Sequence, residues 1–291
     1  MEELSRLKAR MAHLRELQSL VGALRAMAAT HVQEAQSSLS GVMSYVIAIE
    51  EAIAEGLGLL SDVEDFRPAN GALGPRVLIA VCAEHGFVGA LNERLLERVE
   101  AERDSDGPWA LAIVGRRGSV LAAERALPVA WDFPMATGIG GVVGVTRKLA
   151  DSLHAAGKAR LVYATYRQGG NYEIAAKDIL PLDPAIAVRA RRRSPPLHHL
   201  PPAVLLQRLE SEYLFAETTR AVVQSLASEN AARLRVMEAA DRKIGEKLET
   251  LGRRERVQRQ EAITAELLDV ITGSQAVLAQ QEAWKARLCD G

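Results

Sequence analysis

From Ala203 to Gly291 the chain contains no proline. Apolar residues recur through this stretch at helical spacing, at Leu226, Leu234, Met237, Ile244, Leu248, Leu251, Ile263, Leu267, Val270 and Ile271. The pattern predicts one continuous helix from Leu205 to about Arg287. At about 1.5 Å per residue, roughly eighty residues would run on the order of 120 Å, several times the diameter of a small domain. A helix of that length is not expected to pack inside a core built by this chain alone. It calls for a second long helix beside it, another protein around it, or both.

A second helix is encoded at the other end, over residues 1–60. Leu4, Leu7, Met11 and Leu14 alternate three and four apart, as a coiled-coil seam requires. Leu17, Leu20, Leu24 and Met27 then predict a stutter that moves the buried face. Gly22, Ala23, Ala26, Ala28 and Ala29 would let a partner helix come close while burying little area each. Gly56 and Gly58, followed by Asp62 to Gly74 with Pro68, Asn70 and Gly71, predict the exit into a loop.

Residues 75–187 follow a different grammar. Val77–Cys82, Ala110–Val114, Leu161–Tyr166, Tyr172–Leu180 and Val129–Phe133 read as short strands, most of them apolar enough to be buried on both faces. Helical stretches fit between them at Leu91–Arg103, Ser119–Arg125 and Val142–Ala156, which suits right-handed crossovers and a largely parallel sheet closing near Leu182. Val188–Pro202, with Arg189, Arg191, Arg192, Arg193 and four prolines, reads as a linker. Pro201 and Pro202 are placed to open the last helix, residues 203–287, where a missing amide hydrogen costs nothing. The expected fold is α/β plus long helices: an antiparallel coiled coil of the N- and C-terminal helices with an inserted Rossmann-like α/β domain.

Thirty-six basic and thirty-seven acidic residues give a net charge of -1, so no global field favours nucleic acid. Aromatic residues make up only 4%, in keeping with long helices. Cys82 and Cys289 are too far apart in sequence to announce a metal or disulfide framework. No apolar run is long enough to span a membrane, and Met1–Arg6 lacks the core of a signal peptide, which predicts a cytosolic chain able to dock on something in a membrane.

Signals for chemistry are sparse. The phosphate-cradling G-x-x-x-x-G-K-[ST] run is absent, and Gly115–Gly118 and Gly138–Gly144 both miss G-x-G-x-x-G, the latter because Val143 stands at its third glycine. His198 and His199 are adjacent, a poor geometry for one ion. Cys82 ends an apolar strand and has no announced base, while Glu84 and His85 follow it where α/β sites form. Arg253, Arg254, Arg256 and Arg259 make a basic helical face suited to an acidic partner. No catalytic, cofactor or metal residue is nominated. An interaction subunit, a nucleotide-dependent α/β enzyme with a helical dimerisation hairpin, and a coiled-coil adaptor or nucleic-acid clamp using the arginine-rich linker all remain open on these residues.

Two stretches decide among them by resemblance. Leu226-Ala-Ser-Glu-Asn-Ala-Ala-Arg-Leu-Arg-Val-Met237 and Arg259-Gln-Glu-Ala-Ile-Thr-Ala-Glu-Leu-Leu-Asp-Val-Ile-Thr-Gly273 resemble the C-terminal motif pair of the gamma subunit of F-type ATP synthases. Leu14, Gln18, Ala23 and Met27–Ala29 in the first helix, the turn His85–Asn92, and Ala203–Ser211 agree with it. The resemblance implies a rotor shaft standing inside a ring of alternating alpha and beta subunits, with the inserted domain near the epsilon subunit and the c-subunit ring, on the cytoplasmic side of the membrane. It implies no cofactor and no bond chemistry by this chain. Arg259 and Gln260, matching the family's Arg-Gln pair, would meet an acidic loop of beta, with Arg256, Thr264 and Glu266 alongside. Leu226–Leu251 would pair with the first helix, and Leu267–Ala286 would enter an apolar bearing. The chain departs from the family at Glu255-Arg256, where Tyr-Asn is usual, at Val88 in place of a cysteine, and at Asp241-Arg-Lys243.

Overall fold

A computed structural model describes residues 2–60, 74–105, 108–189 and 196–289. Helix α1 spans Glu2–Leu57 and helix α5 spans Pro202–Cys289. Between them come β1 (Arg76–Val81), α2 (Leu91–Ser105), β2 (Ala110–Val114), α3 (Arg116–Glu124), β3 (Val129–Phe133), α4 (Val142–Leu153), β4 (Lys158–Arg167) and β5 (Asn171–Leu180). The uninterrupted last helix, its opening at Pro202 and the five strands are as the sequence predicts. Helix α3 starts three residues earlier than expected, at Arg116, so Gly118 lies within it. The loop expected over Asp62–Gly74 lies almost wholly outside the described residues, as do Arg191, Arg192 and Arg193 of the linker.

The chain divides into two compact units, residues 24–237 and residues 1–23 with 238–291. In the larger unit the strand order is β3-β2-β1-β4-β5, with β5 antiparallel to β4 and the other pairs parallel. Leu91, Leu95, Leu96 and Val99 of α2 and Ala122 of α3 cover one face, against Leu78, Ala80, Leu111 and Ile113. Leu149 and Leu153 of α4 cover the other with Leu214, Val222 and Leu226 of α5, against Val77, Ile79, Val114 and Leu161. The alternation along each strand thus feeds two cores.

Within this unit the lower parts of α1 and α5 run antiparallel. Ile53 packs with Tyr213, a Cβ on Gly56 would stand 2.9 Å from Leu206 Cδ2, and the Tyr45 hydroxyl donates to Glu212. Two expectations need correction. The stutter does not take over: the buried and half-buried positions of α1 include Gln18, Val21, Leu24, Ala28, Val32, Ala35, Leu39, Val42, Val46, Ile49 and Ile53, so that of the four residues expected to carry it only Leu24 is half-buried and the seven-residue repeat from Val21 to Ala28 is kept. Leu17, Leu20 and Met27 stand exposed instead, at 52%, 60% and 57%. Sequence reasoning followed the larger side chains, whereas the seam follows small ones that permit close approach. The second correction concerns α5, which does enter the chain's own core. Ala216, Ala221, Val222, Leu226, Ala227 and Ala231 are all at most 1% exposed. The long helix is therefore anchored in the α/β unit between Ala216 and Ala231.

In the smaller unit, α1 and α5 are again antiparallel. Gln18 Nε2 donates to Asp241 Oδ1 at 3.0 Å, and Met11 Cε lies 3.8 Å from where a Cβ on Gly252 would be. Asp241, Ile244, Leu248, Leu251, Glu255, Gln258 and Ala262 mark the inward stripe of α5. Beyond Ala262 every position through Ala276 is exposed.

Candidate functional site

The five residues nominated for partner contact, Arg256, Arg259, Gln260, Thr264 and Glu266, are all exposed on α5. At about 100° per residue they fall within about 160° of arc centred on Ile263 and Leu267, with Arg256, Gln260 and Thr264 turned away from the inward stripe and Arg259 and Glu266 bordering it. Thr264 Oγ1 is spent on the Gln260 carbonyl at 2.9 Å, a back-bond within the helix. Ile263, Leu267, Leu268, Val270 and Ile271 are 48% to 65% exposed. Fifteen or so residues of helix carrying five bare branched side chains, preceded by arginines, form an apolar and basic surface without a partner among the described residues.

The Leu226–Met237 motif has a different task. Beyond Val81 strand β1 ends, and β4 runs on beside it with backbone groups that lack a strand neighbour on that side. Helix α5 supplies their partners. Tyr166 N donates to Gln224 Oε1 at 2.9 Å and Ala164 N to Ser225 Oγ at 3.4 Å, while Ser228 Oγ donates to Ala164 O at 3.1 Å. Ser225 Oγ also reaches Val81 O at 3.5 Å. Each hydroxyl is buried, and each bond satisfies a group that would otherwise be costly to desolvate. One turn on, Arg233 Nη2 pairs with Glu229 Oε1 at 2.6 Å, and Nε and Nη2 lie 3.4 Å from Gly86 O. Burial pushes the Glu229 carboxyl above its usual range, with Arg233 and the amides of Glu84 and His85 opposing that rise. These helix-to-sheet residues were not recognised from sequence; small polar residues interleaved with alanine, at Gln224, Ser225 and Ser228, were the available signal.

This packing fills the crevice beyond the carboxyl ends of β1 and β4, where strand order reverses and open α/β sheets take ligands. The loop residues there are structural. Glu84 Oε2 accepts from the amides of Met135 at 2.8 Å and Arg116 at 3.1 Å, and Asn92 Oδ1 accepts from Ala83 N at 2.9 Å. Gly115 has φ 111°, and a Cβ there would meet Cys82 O at 2.4 Å. A Cβ on Gly118 would lie 2.3 Å from Cys82 Cβ, so the Gly115–Gly118 spacing serves close packing. Cys82 is 1% exposed, and burial, with the nearby Glu229 charge, pushes its thiol up to about 12, the opposite of a nucleophile's need. His198 and His199 are exposed, with His198 Nδ1 2.9 Å from Leu200 O. Among the described residues no group of three His, Cys, Asp or Glu could hold a metal ion. A cleft of about 500 Å³ remains beside the helix, lined by Met27, His31, His85, Phe87, Glu229 and Arg233.

The family model described as ATP synthase matches residues 3–277. The ATP synthase gamma chain of Sorangium cellulosum is 25% identical, the alignment covering 95% of this chain and 99% of that one. The gamma chain of Geotalea uraniireducens is 23% identical at the same coverages, 95% and 99%. Among solved structures, a Euglena gracilis mitochondrial ATP synthase chain superposes with a TM-score of 0.64 at 11% identity, over 96% of each chain. A central-stalk chain from the Tetrahymena thermophila mitochondrial ATP synthase gives 0.59 at 17% identity, over 76% of this chain and 99% of that one. At these identities the structural likeness speaks to the fold.

Proposed function

The chain belongs to the gamma-chain family of ATP synthases, and from that premise we propose that it works as the rotating central shaft of an F-type enzyme. Its paired helices stand within a ring of alternating alpha and beta subunits, and its α/β unit meets the epsilon subunit and the c-subunit ring. Turning of the shaft couples ion translocation to ATP synthesis or hydrolysis at beta. The chain does no bond chemistry itself. It is peripheral to the membrane, on the cytoplasmic side; no helix among the described residues is long and apolar enough to cross one.

The observation that carries this reading is the exposed end of α5. Ile263, Leu267, Leu268, Val270 and Ile271 have no cover among the described residues, and a surrounding ring supplies it. Mechanically, a shaft biases beta only by binding its conformations unequally, so its surface must differ around its circumference. Arg256, Arg259 and Gln260 occupy one side of α5 and the inward stripe another, which gives that asymmetry. We assign the arginines and Gln260 to an acidic loop of beta and the apolar residues beyond them to the bearing.

Co-expression with the alpha and beta subunits tests the reading. One copy of the chain is expected per ring, with ATP hydrolysis only in the complex. A chain that stays monodisperse beside those subunits, leaving their turnover unchanged, contradicts it. The filled crevice at β1 and β4 argues against the nucleotide-enzyme alternative; calorimetry with common nucleotides is expected to give no specific heat.

A further inference from the structure

Helix α5 and the α/β unit could have met through apolar contacts alone, yet this interface is crowded with buried polar groups. Glu217, Thr218, Ser225, Ser228, Glu229 and Asn230 are all at most 4% exposed. Buried polar groups add little net stability compared with a well-packed apolar contact, and they do add directionality. Apolar contacts are non-directional and resist sliding or rolling of a helix weakly. The arrangement of the polar bonds shows which motion they oppose.

Five bonds tie α5 to β4 and β5. Glu217 Oε1 accepts from Lys177 Nζ at 2.8 Å, Gln224 Oε1 from Tyr166 N at 2.9 Å, Ser225 Oγ from Ala164 N at 3.4 Å and Asn171 Oδ1 from Arg235 Nη1 at 2.9 Å; Ser228 Oγ donates to Ala164 O at 3.1 Å. Positions 217, 224, 228 and 235 recur along one helical stripe of about 27 Å. Glu229 and Arg233 lie on the neighbouring side and hold the Gly86 loop. Ala221 and Ala232, both buried, lie between these rows and let the backbone approach the sheet. Bonds on both sides of a close contact oppose rotation of the helix in either sense.

We propose that Gln224, Ser225 and Ser228 form a keyed joint through which torsion passes between the sheet and helix α5. These are positioning residues, and the inference rests on the central-shaft reading. Large apolar residues here would give a tighter core but a softer coupling. The two serine hydroxyls and the glutamine amide bind strand backbone, so the strand itself, rather than a mobile side chain, receives the load.

The test uses the chain assembled with alpha and beta subunits, the ring fixed to a surface and a bead attached to the exposed face of α2. Angular fluctuation of the bead is recorded while the rotor waits for ATP. In the triple variant Gln224→Ala, Ser225→Ala, Ser228→Ala the variance is expected to rise about 2.5-fold, because three of five parallel bonds are gone and stiffnesses in parallel add. Gln224→Ala alone, at a half-buried position that tolerates truncation, is expected to give a smaller rise in the same direction. Ile179→Ala, buried in the same core but outside the joint, serves as a control matched for lost thermal stability and is expected to keep the wild-type variance. Wild-type variance in the joint variants, or an equal rise in the control, overturns the joint. A wild-type chain that never turns within the fixed ring when ATP is supplied overturns the shaft reading instead.

Discussion

Glu217→Ala is expected to loosen the α/β unit measurably. The Glu217 side chain is 0% exposed, with Oε1 2.8 Å from Lys177 Nζ and Oε2 2.7 Å from Arg220 Nη2. Removing one member of a wholly buried ion pair costs about 3–5 kcal/mol, because the remaining charge is stranded. Here the two cations keep 33% and 22% of their side chains exposed, so each can turn partly to water. Discounting for that access leaves about 2 kcal/mol. In a unit of this size about 2 kcal/mol lowers the melting midpoint by about 4–8 °C. Circular dichroism of the isolated chain measures it. Lys177→Met added to Glu217→Ala is expected to return about half the loss, since one stranded charge is then gone. Tyrosine absorbance gives an independent reading: burial first, and then the Glu217 charge, raises the Tyr213 phenol, so its titration should begin at lower pH in Glu217→Ala. A midpoint within about 1 °C of wild type would refute the claim that this pair anchors α5 to β5.

Four further outcomes follow from the same geometry. Cys82, with its thiol pushed up to about 12 from 9.0, should react with a maleimide about a thousandfold more slowly than an ordinary thiol in the native chain at pH 8; labelling at an ordinary rate would contradict its burial. Gly115→Ala, forced to φ 111° with a Cβ 2.4 Å from Cys82 O, should cost more than about 2 kcal/mol by chemical denaturation. Because the folded state raises the Glu229 carboxyl above its unfolded value, native protons outnumber unfolded ones just above the usual carboxyl range, and stability falls as pH rises through that window; Glu229→Gln should lack this slope. Arg259→Ala with Gln260→Ala, both exposed, should leave the melting midpoint within about 1 °C while weakening assembly or coupled turnover in the complex; normal coupled synthesis would show the assigned contact to be wrong.

The long helices were legible because proline is missing and large apolar residues recur, signals that act locally along the chain. The strands were legible for the same reason, whereas the antiparallel pairing of β5 with β4 was not. Contact between α5 and the sheet was not. Ser225, Ser228 and Gln224 are commonplace on a solvated helix, and only the strand end opposite them makes them buried partners. The seam of α1 misled in the opposite sense: Leu17, Leu20 and Met27 look like core residues, yet they are exposed, and Ala28 and Ala35 are buried in the heptad positions. Size is a poor guide where a shaft must be thin. Arg256, Arg259 and Gln260 were nominated from a motif, and what the fold adds is that all three are exposed, Arg256 and Gln260 facing away from the inward stripe of α5 and Arg259 bordering it.

The most direct measurement of the central claim is rotation of the assembled complex. With the alpha and beta ring fixed and a bead on the α/β unit of this chain, ATP is expected to drive continuous rotation in one direction, halted when nucleotide is withdrawn. A complex that hydrolyses ATP at full rate while the bead stays still, or turns without direction, would contradict the account.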